Sequence, residues 1–118
     1  MILLFTGGRD YQNYDNVFYV INKINNKTKI NLIIHGATKG LDSLVEKVCL
    51  ELKINTKKYP VTNEDWIKYG KYAGQRRNKI MLDENPSISA IIVFPGGKGT
   101  AGMKQYAIQK KYKVIEIE

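Results

Sequence analysis

Cystine chemistry is closed to this chain, because Cys49 is its only cysteine and an intrachain bridge needs two. Histidine is equally scarce. His35 stands alone, so neither residue type is present in the numbers a dedicated zinc site requires. No apolar run approaches the roughly 20 residues that cross a bilayer as a helix. The opening Met1-Ile2-Leu3-Leu4-Phe5 is apolar, but Gly7-Gly8-Arg9-Asp10 follows at once. It is too short for a secretion signal and reads as a first strand. A cytoplasmic protein with no membrane partner, no metal and no cofactor is expected. Acidic residues are also few, 11 against 19 lysines and arginines, giving a formal charge of +8. Such an excess favours an anionic partner, but lysine supplies nearly all of it, and the position of the charge matters more than its sum.

What is present is a regular alternation of short β-rich runs and helical stripes. Met1 to Thr6 is a strand. Val17, Phe18, Val20, Ile21 and Ile24 recur at helical spacing behind a cap at Asn13 or Asp15. Ile30 to Ile34 is a second strand, and Leu41, Leu44, Val45, Val48 and Leu52 form the next helical stripe. Cys49 falls on that stripe and reads as a small core residue. Ile54 to Tyr59 is a shorter strand. A loop containing Asn63, Glu64, Asp65 and Trp66 leads to a helix from about Gly74 to Asp83. Ala90-Ile91-Ile92-Val93, apolar without interruption, fits a strand buried on both faces. Pro95 to Thr100 opens a last helix, and Lys113 to Ile117 closes the chain as a strand. There is no internal repeat and no low-complexity linker. The pattern predicts an α/β fold over residues 1–118: a single Rossmann-like three-layer domain of about five mostly parallel strands flanked by helices.

In such a sheet, ligands bind beyond the carboxyl ends of the strands, where strand order reverses. Three glycine-bearing loops follow strands at that edge: Gly7-Gly8-Arg9-Asp10, His35-Gly36-Ala37-Thr38-Lys39-Gly40, and Pro95-Gly96-Gly97-Lys98-Gly99-Thr100. The last carries the strongest signal. Its glycines bring backbone amides close to a ligand, and the helix behind it offers unpaired N–H groups and a partial positive charge suited to phosphate. Lys98 adds charge and Thr100 a hydroxyl. The loop is neither a Walker A sequence nor a GxGxxG fingerprint. Arg76, Arg77 and Asn78 cluster at the start of the third helical stretch, from about Gly74 to Asp83. Guanidinium forks suit phosphate, and cations at a helix N-terminus need a counterweight, either a bound anion or an ion pair with Glu64, Asp65 or Asp83. Asp42 could contact a ribose hydroxyl or cap a helix. Trp66, Tyr69 and Tyr72 could stack on a base or pack over the sheet.

Gly7 to Asp10, His35 to Asp42, Gly74 to Leu82 and Phe94 to Thr100, in this order, resemble the small YspA-like branch of the SLOG superfamily. The resemblance implies a Rossmann-like fold related to the lonely-guy (LOG) phosphoribohydrolases and to the DNA-processing protein DprA. It also implies nucleotide or nucleotide-derived ligands. LOG enzymes carry a catalytic glutamate three positions beyond the threonine of the Pro-Gly-Gly-x-Gly-Thr loop. Here that position is Met103, whose thioether can neither transfer a proton nor stabilise an oxocarbenium ion. Arg76 or Arg77 corresponds to the arginine that LOG enzymes place near a helix start. The expectation is binding without catalysis, at Gly7, Gly8, Arg9, His35, Gly36, Lys39, Gly40, Asp42, Arg76, Arg77, Asn78 and the Pro95 to Thr100 loop. The role expected is that of a sensor or, if phage-encoded, of a protein sequestering an immune nucleotide signal. The alternatives are a LOG-like nucleotide N-glycosidase using Asp10, Asp42 or Glu84, and a DNA- or RNA-binding protein. A homo-oligomer is expected because the related families commonly pair through helices.

Overall fold

The computed structural model describes residues 1–118. Five strands, β1 (Ile2–Thr6), β2 (Leu32–His35), β3 (Thr56–Lys58), β4 (Ala90–Val93) and β5 (Val114–Glu116), alternate with helices. These are α1 (Tyr14–Lys27), α2 (Leu41–Leu52), α3 (Asn63–Tyr69), α4 (Ala73–Asp83) and α5 (Lys98–Gln109). A single 3-10 turn, Gly70–Tyr72, joins α3 to α4. All strands are parallel and lie in the order β3-β2-β1-β4-β5. The chain winds outward from β1 to β3, then returns to the other side of β1 for β4 and β5. Strand order therefore reverses between β1 and β4, and a crevice opens beyond their carboxyl ends.

The period-2 alternation of the strands divides the core into two layers. Leu3, Phe5, Ile33, Ala90 and Ile92 face α1 and α2, where Val17, Ile21, Val45 and Val48 are buried against them. Leu4, Ile34, Ile91 and Val93 face the opposite way, onto Met81 and Leu82 of α4 and Met103 and Ala107 of α5. Both faces of β4 are thus covered, which is why its sequence is apolar without a break. Cys49 is buried in the first layer, and burial, with the nearby Glu46 charge, pushes its thiol up to about 12. It is the inert core residue its stripe predicted.

Asn13 is the cap of α1, accepting from the Asn16 amide at 3.0 Å. The region expected to be a loop around Asn63 to Trp66 is instead helix α3. Thr62 and Asp65 form a reciprocal capping box there, and the Thr62 amide and hydroxyl hold the Asp65 carboxyl below its usual value. No α3 residue is buried, so no apolar stripe marked it. Its only sequence signal was the threonine three residues ahead of an acid. β3 is also shorter than the Ile54 to Tyr59 run, because the Ile54 amide is drawn back to the Cys49 carbonyl at the end of α2.

Gly40 ends the β2–α2 loop with φ +76°, and a Cβ there would lie 2.3 Å from the Gly8 carbonyl oxygen. Gly102, in the middle of α5, has nothing within 4 Å of the same virtual atom. Urea denaturation should therefore separate two identical substitutions. Gly40→Ala should cost about 2 kcal/mol or more, whereas Gly102→Ala should stabilise the ligand-free chain by about 0.5–1 kcal/mol.

Candidate functional site

The crevice at the strand-order reversal is a cleft of about 1090 Å³. The β1–α1 loop and the β4–α5 loop form one side, α4 and α5 the other, and Trp66 and Lys71 stand at its rim. Gly8 ties the loops together. Its amide donates to the Pro95 carbonyl at 2.9 Å, and its carbonyl accepts from Leu41, the first residue of α2, at 3.1 Å. Side chains would break this approach: a Cβ on Gly96 would lie 2.7 Å from the Gly8 nitrogen, and one on Gly8 would lie 3.0 Å from the Gly96 Cα. The Gly8 amide is thereby spent on the fold.

The donors that remain come from α5. Gly97 precedes it and no side chain caps it, unlike α1 and α3. Its first-turn amides and the positive end of its dipole are free to meet an anion. The Thr100 hydroxyl makes no hydrogen bond within the chain, and Lys98 and Arg9 are exposed on the same wall. Gly97 and Gly99 leave open space where a Cβ would stand. Neither glycine is demanded by packing, and both leave bare backbone facing the cleft.

Asp42 is 5 % exposed. Its Oδ2 accepts from the Thr38 amide at 3.1 Å and the Thr38 hydroxyl at 2.9 Å, which leaves Oδ1 without a partner in the chain. Arg77 reaches beneath the loops from α4. Its Nη1 donates to the Gly36 carbonyl and, at 3.1 Å, to the Tyr59 carbonyl, and its Nε to Asn78 Oδ1 at 2.9 Å. No carboxylate lies in ion-pair range. Desolvation lowers its pKa, Asp42 opposes that shift, and Arg9 adds to it. The guanidinium thus clamps the ends of β2 and β3 through Nη1 while Nη2 makes no hydrogen bond within the chain, and a Cβ on Gly36 would lie 2.6 Å from Nη1.

Of the residues expected to bind, Gly7, Gly8, Arg9, Gly36, Asp42, Arg77, Asn78 and the whole Pro95 to Thr100 loop line this cleft. His35, Lys39, Gly40 and Arg76 do not. His35 is buried, with Nε2 at 2.8 Å from Glu46 and Nδ1 accepting from the Ala37 amide. A neutral ring protonated on Nε2 satisfies both contacts. Burial acts to raise Glu46, but its hydrogen bonds from His35 and Thr56 outweigh this and hold the carboxyl below its usual value. Gly40 supplies the positive-φ turn, and Lys39 is exposed outside the wall. Arg76 lies 4.4 Å over the Tyr69 ring, outside the cleft lining, and makes no ion pair with Glu64, Asp65 or Asp83. Glu84 also lies elsewhere, accepting from the Tyr59 hydroxyl. Asp10 and Asp42 are the carboxylates on the cleft wall.

Sequence reasoning missed the polar faces of the two helices across the cleft. Gln75 and Lys79 on α4, and Gly102, Gln105, Tyr106 and Gln109 on α5, line it. They recur three and four apart, opposite the core-facing Met103 and Ala107, a polar stripe legible in principle.

A family model described as YAcAr (YspA, cpYpsA-related SLOG family) matches residues 1–61. The chain belongs to that SLOG family. The match covers the β1–α1 and β2–α2 loops, and the β4–α5 loop lies beyond it. No curated protein matches this SLOG sequence. Among solved structures, the X-ray structure of DNA processing protein A (DprA) from Streptococcus pneumoniae is similar, with a TM-score of 0.77 at 16% identity. That similarity covers 98% of this chain and 50% of DprA, so the SLOG chain spans about half the length of its structural neighbour. The likeness is one of fold.

Met103, at the position where LOG enzymes carry glutamate, is fully buried against the sheet and does not line the cleft. Met103→Glu should therefore cost about 3–5 kcal/mol in urea denaturation, the penalty of an unpaired buried charge, and should release no base from AMP by chromatography. Arg77→Met should destabilise the ligand-free chain by about 1–3 kcal/mol, because two carbonyls lose their donor. Loss of binding in that variant has to be read against its melting curve.

Proposed function

We propose that this SLOG chain binds a nucleotide or nucleotide-derived signal in the cleft between β1 and β4. It would act as a sensor of that signal or as a protein that sequesters it. The observation that carries the reading is the uncapped N-terminus of α5, which opens onto the cleft beside exposed Lys98, Arg9 and the unpaired Thr100 hydroxyl. A phosphate group matches that donor set in charge and geometry. The unpartnered Oδ1 of Asp42 is an acceptor suited to a ribose hydroxyl in the same cleft. A volume of about 1090 Å³ lies just above the ~300–1,000 Å³ range of small-molecule sites. It accommodates more than an isolated phosphate. An N-glycosidase would need Asp10 or Asp42 to act, and the buried Met103 offers no third group, so binding without turnover is favoured.

The +8 charge and the fold shared with DNA processing protein A favour a second reading, DNA or RNA binding. It differs in one measurable respect: affinity for a polyanion falls steeply with salt as counterions are released.

Thermal unfolding against AMP, ADP, NAD, ADP-ribose and cyclic dinucleotides tests the proposal. A bound ligand at 100 times its dissociation constant should add about 2.7 kcal/mol. The shift should be confined to one ligand class, shrink in Arg9→Ala and Lys98→Ala, and leave the ligand intact by mass spectrometry. A flat panel, with oligonucleotide binding that collapses between low and moderate salt, would overturn it in favour of nucleic acid. Recovery of free base would instead identify an N-glycosidase.

A further inference from the structure

Trp66 is the chain's only tryptophan, and its setting differs from that of every other ring at the cleft. Phe5 is buried and stacks with Phe94, Tyr11 packs edge-on against Phe94 at 5.3 Å, and the Tyr106 hydroxyl donates to Asp83. Each is already engaged by the fold. Trp66 lines the same cleft at 42 % exposure, with no aromatic partner and no hydrogen bond to its indole N–H.

The segment that carries it is equally detached. α3 buries none of its residues, and neither does the 3-10 turn that follows. Ile67 is 86 % exposed beside it. The segment is held instead by its own capping box, by the Arg76–Tyr69 contact and by its junction with α4. An exposed tryptophan on an arm that contributes nothing to the core is not explained by stability.

Resting on the nucleotide reading of the cleft, we infer that Trp66 is the base platform: the planar ring of the ligand stacks on its indole while the phosphate sits at the α5 N-terminus. The two ends of the cleft then divide the recognition. Backbone amides and cations hold the anionic end, and an indole face holds the aromatic end, a surface that tolerates any base because every base has a π-face. Lys71, which reaches the cleft from the 3-10 turn, flanks the same arm with positive charge. Gly70 ends α3 with φ +55°, the left-handed turn that glycine adopts without strain and that sets the arm against α4.

The full chain titrated with ADP, and separately with inorganic pyrophosphate, tests this directly, because a lone tryptophan makes emission a report on one residue. ADP should quench Trp66 fluorescence in step with calorimetric saturation, and pyrophosphate should bind without quenching. Trp66→Ala should weaken ADP by about 5- to 160-fold, the range of base–aromatic stacking, leave pyrophosphate affinity unchanged, and be largely rescued by Trp66→Phe. Equal losses for ADP and pyrophosphate would overturn the inference, since the arm would then only support the phosphate loops. ADP binding with no quench and no effect of Trp66→Ala would overturn it while the nucleotide reading stands. If neither probe binds in calorimetry and the wider nucleotide panel is flat as well, both fall together.

Discussion

Everything at the cleft depends on the approach of three backbone segments around Gly8. Its amide donates to Pro95 and its carbonyl accepts from Leu41, so the loop after β1 is tied at once to the loop after β4 and to the start of α2. Backbones can come this close only where side chains are missing, and the virtual Cβ contacts at Gly8, Gly40 and Gly96 show three glycines meeting that need from three loops. The strand-order reversal leaves an opening between β1 and β4. The Gly8 junction turns that opening into a cleft with fixed walls.

That junction sorts the glycines into two kinds. Gly7, Gly8, Gly40 and Gly96 are required by neighbouring protein atoms. Gly74, Gly97, Gly99 and Gly102 are not, yet all four line the cleft, and those inside helices carry a propensity cost of about 0.5–1 kcal/mol each. A protein selected only for stability would have alanine at such places. Bare backbone there fits a surface kept open for something that is not protein.

The basic residues divide in the same way. Arg76 is spent on the Tyr69 ring and Arg77 largely on carbonyls of β2 and β3 loop residues, although their position at a helix start suggested an anion for both. Carbonyl oxygens, carrying partial negative charge, meet Arg77 where the sequence argument offered a bound anion or an ion pair. Arg9 and Lys98, exposed on the loop wall, remain as the uncommitted cations beside the free amides of α5. His35, read as a loop residue near a ligand, turned inward because Glu46 and the Ala37 amide satisfy both of its nitrogens.

The fold was legible in the residues because burial on both faces of a parallel sheet leaves continuous apolar runs such as Ala90 to Val93, and helices packed on it leave 3.6-residue stripes. The phosphate-suited loop was legible for a local reason too, since glycines followed by a helix start act through backbone within one short segment. The short helix α3 was not, because it buries nothing and so leaves no periodic trace. Nor was the place of Met103, core rather than cleft, or the convergence of α4 and α5 polar faces across from the loops. Chain order and side-chain periodicity are properties of one segment at a time. Which carbonyl an arginine finds, which face of a helix meets a cavity, and which tryptophan is left without a partner are decided by segments far apart in sequence, and only tertiary packing brings those together.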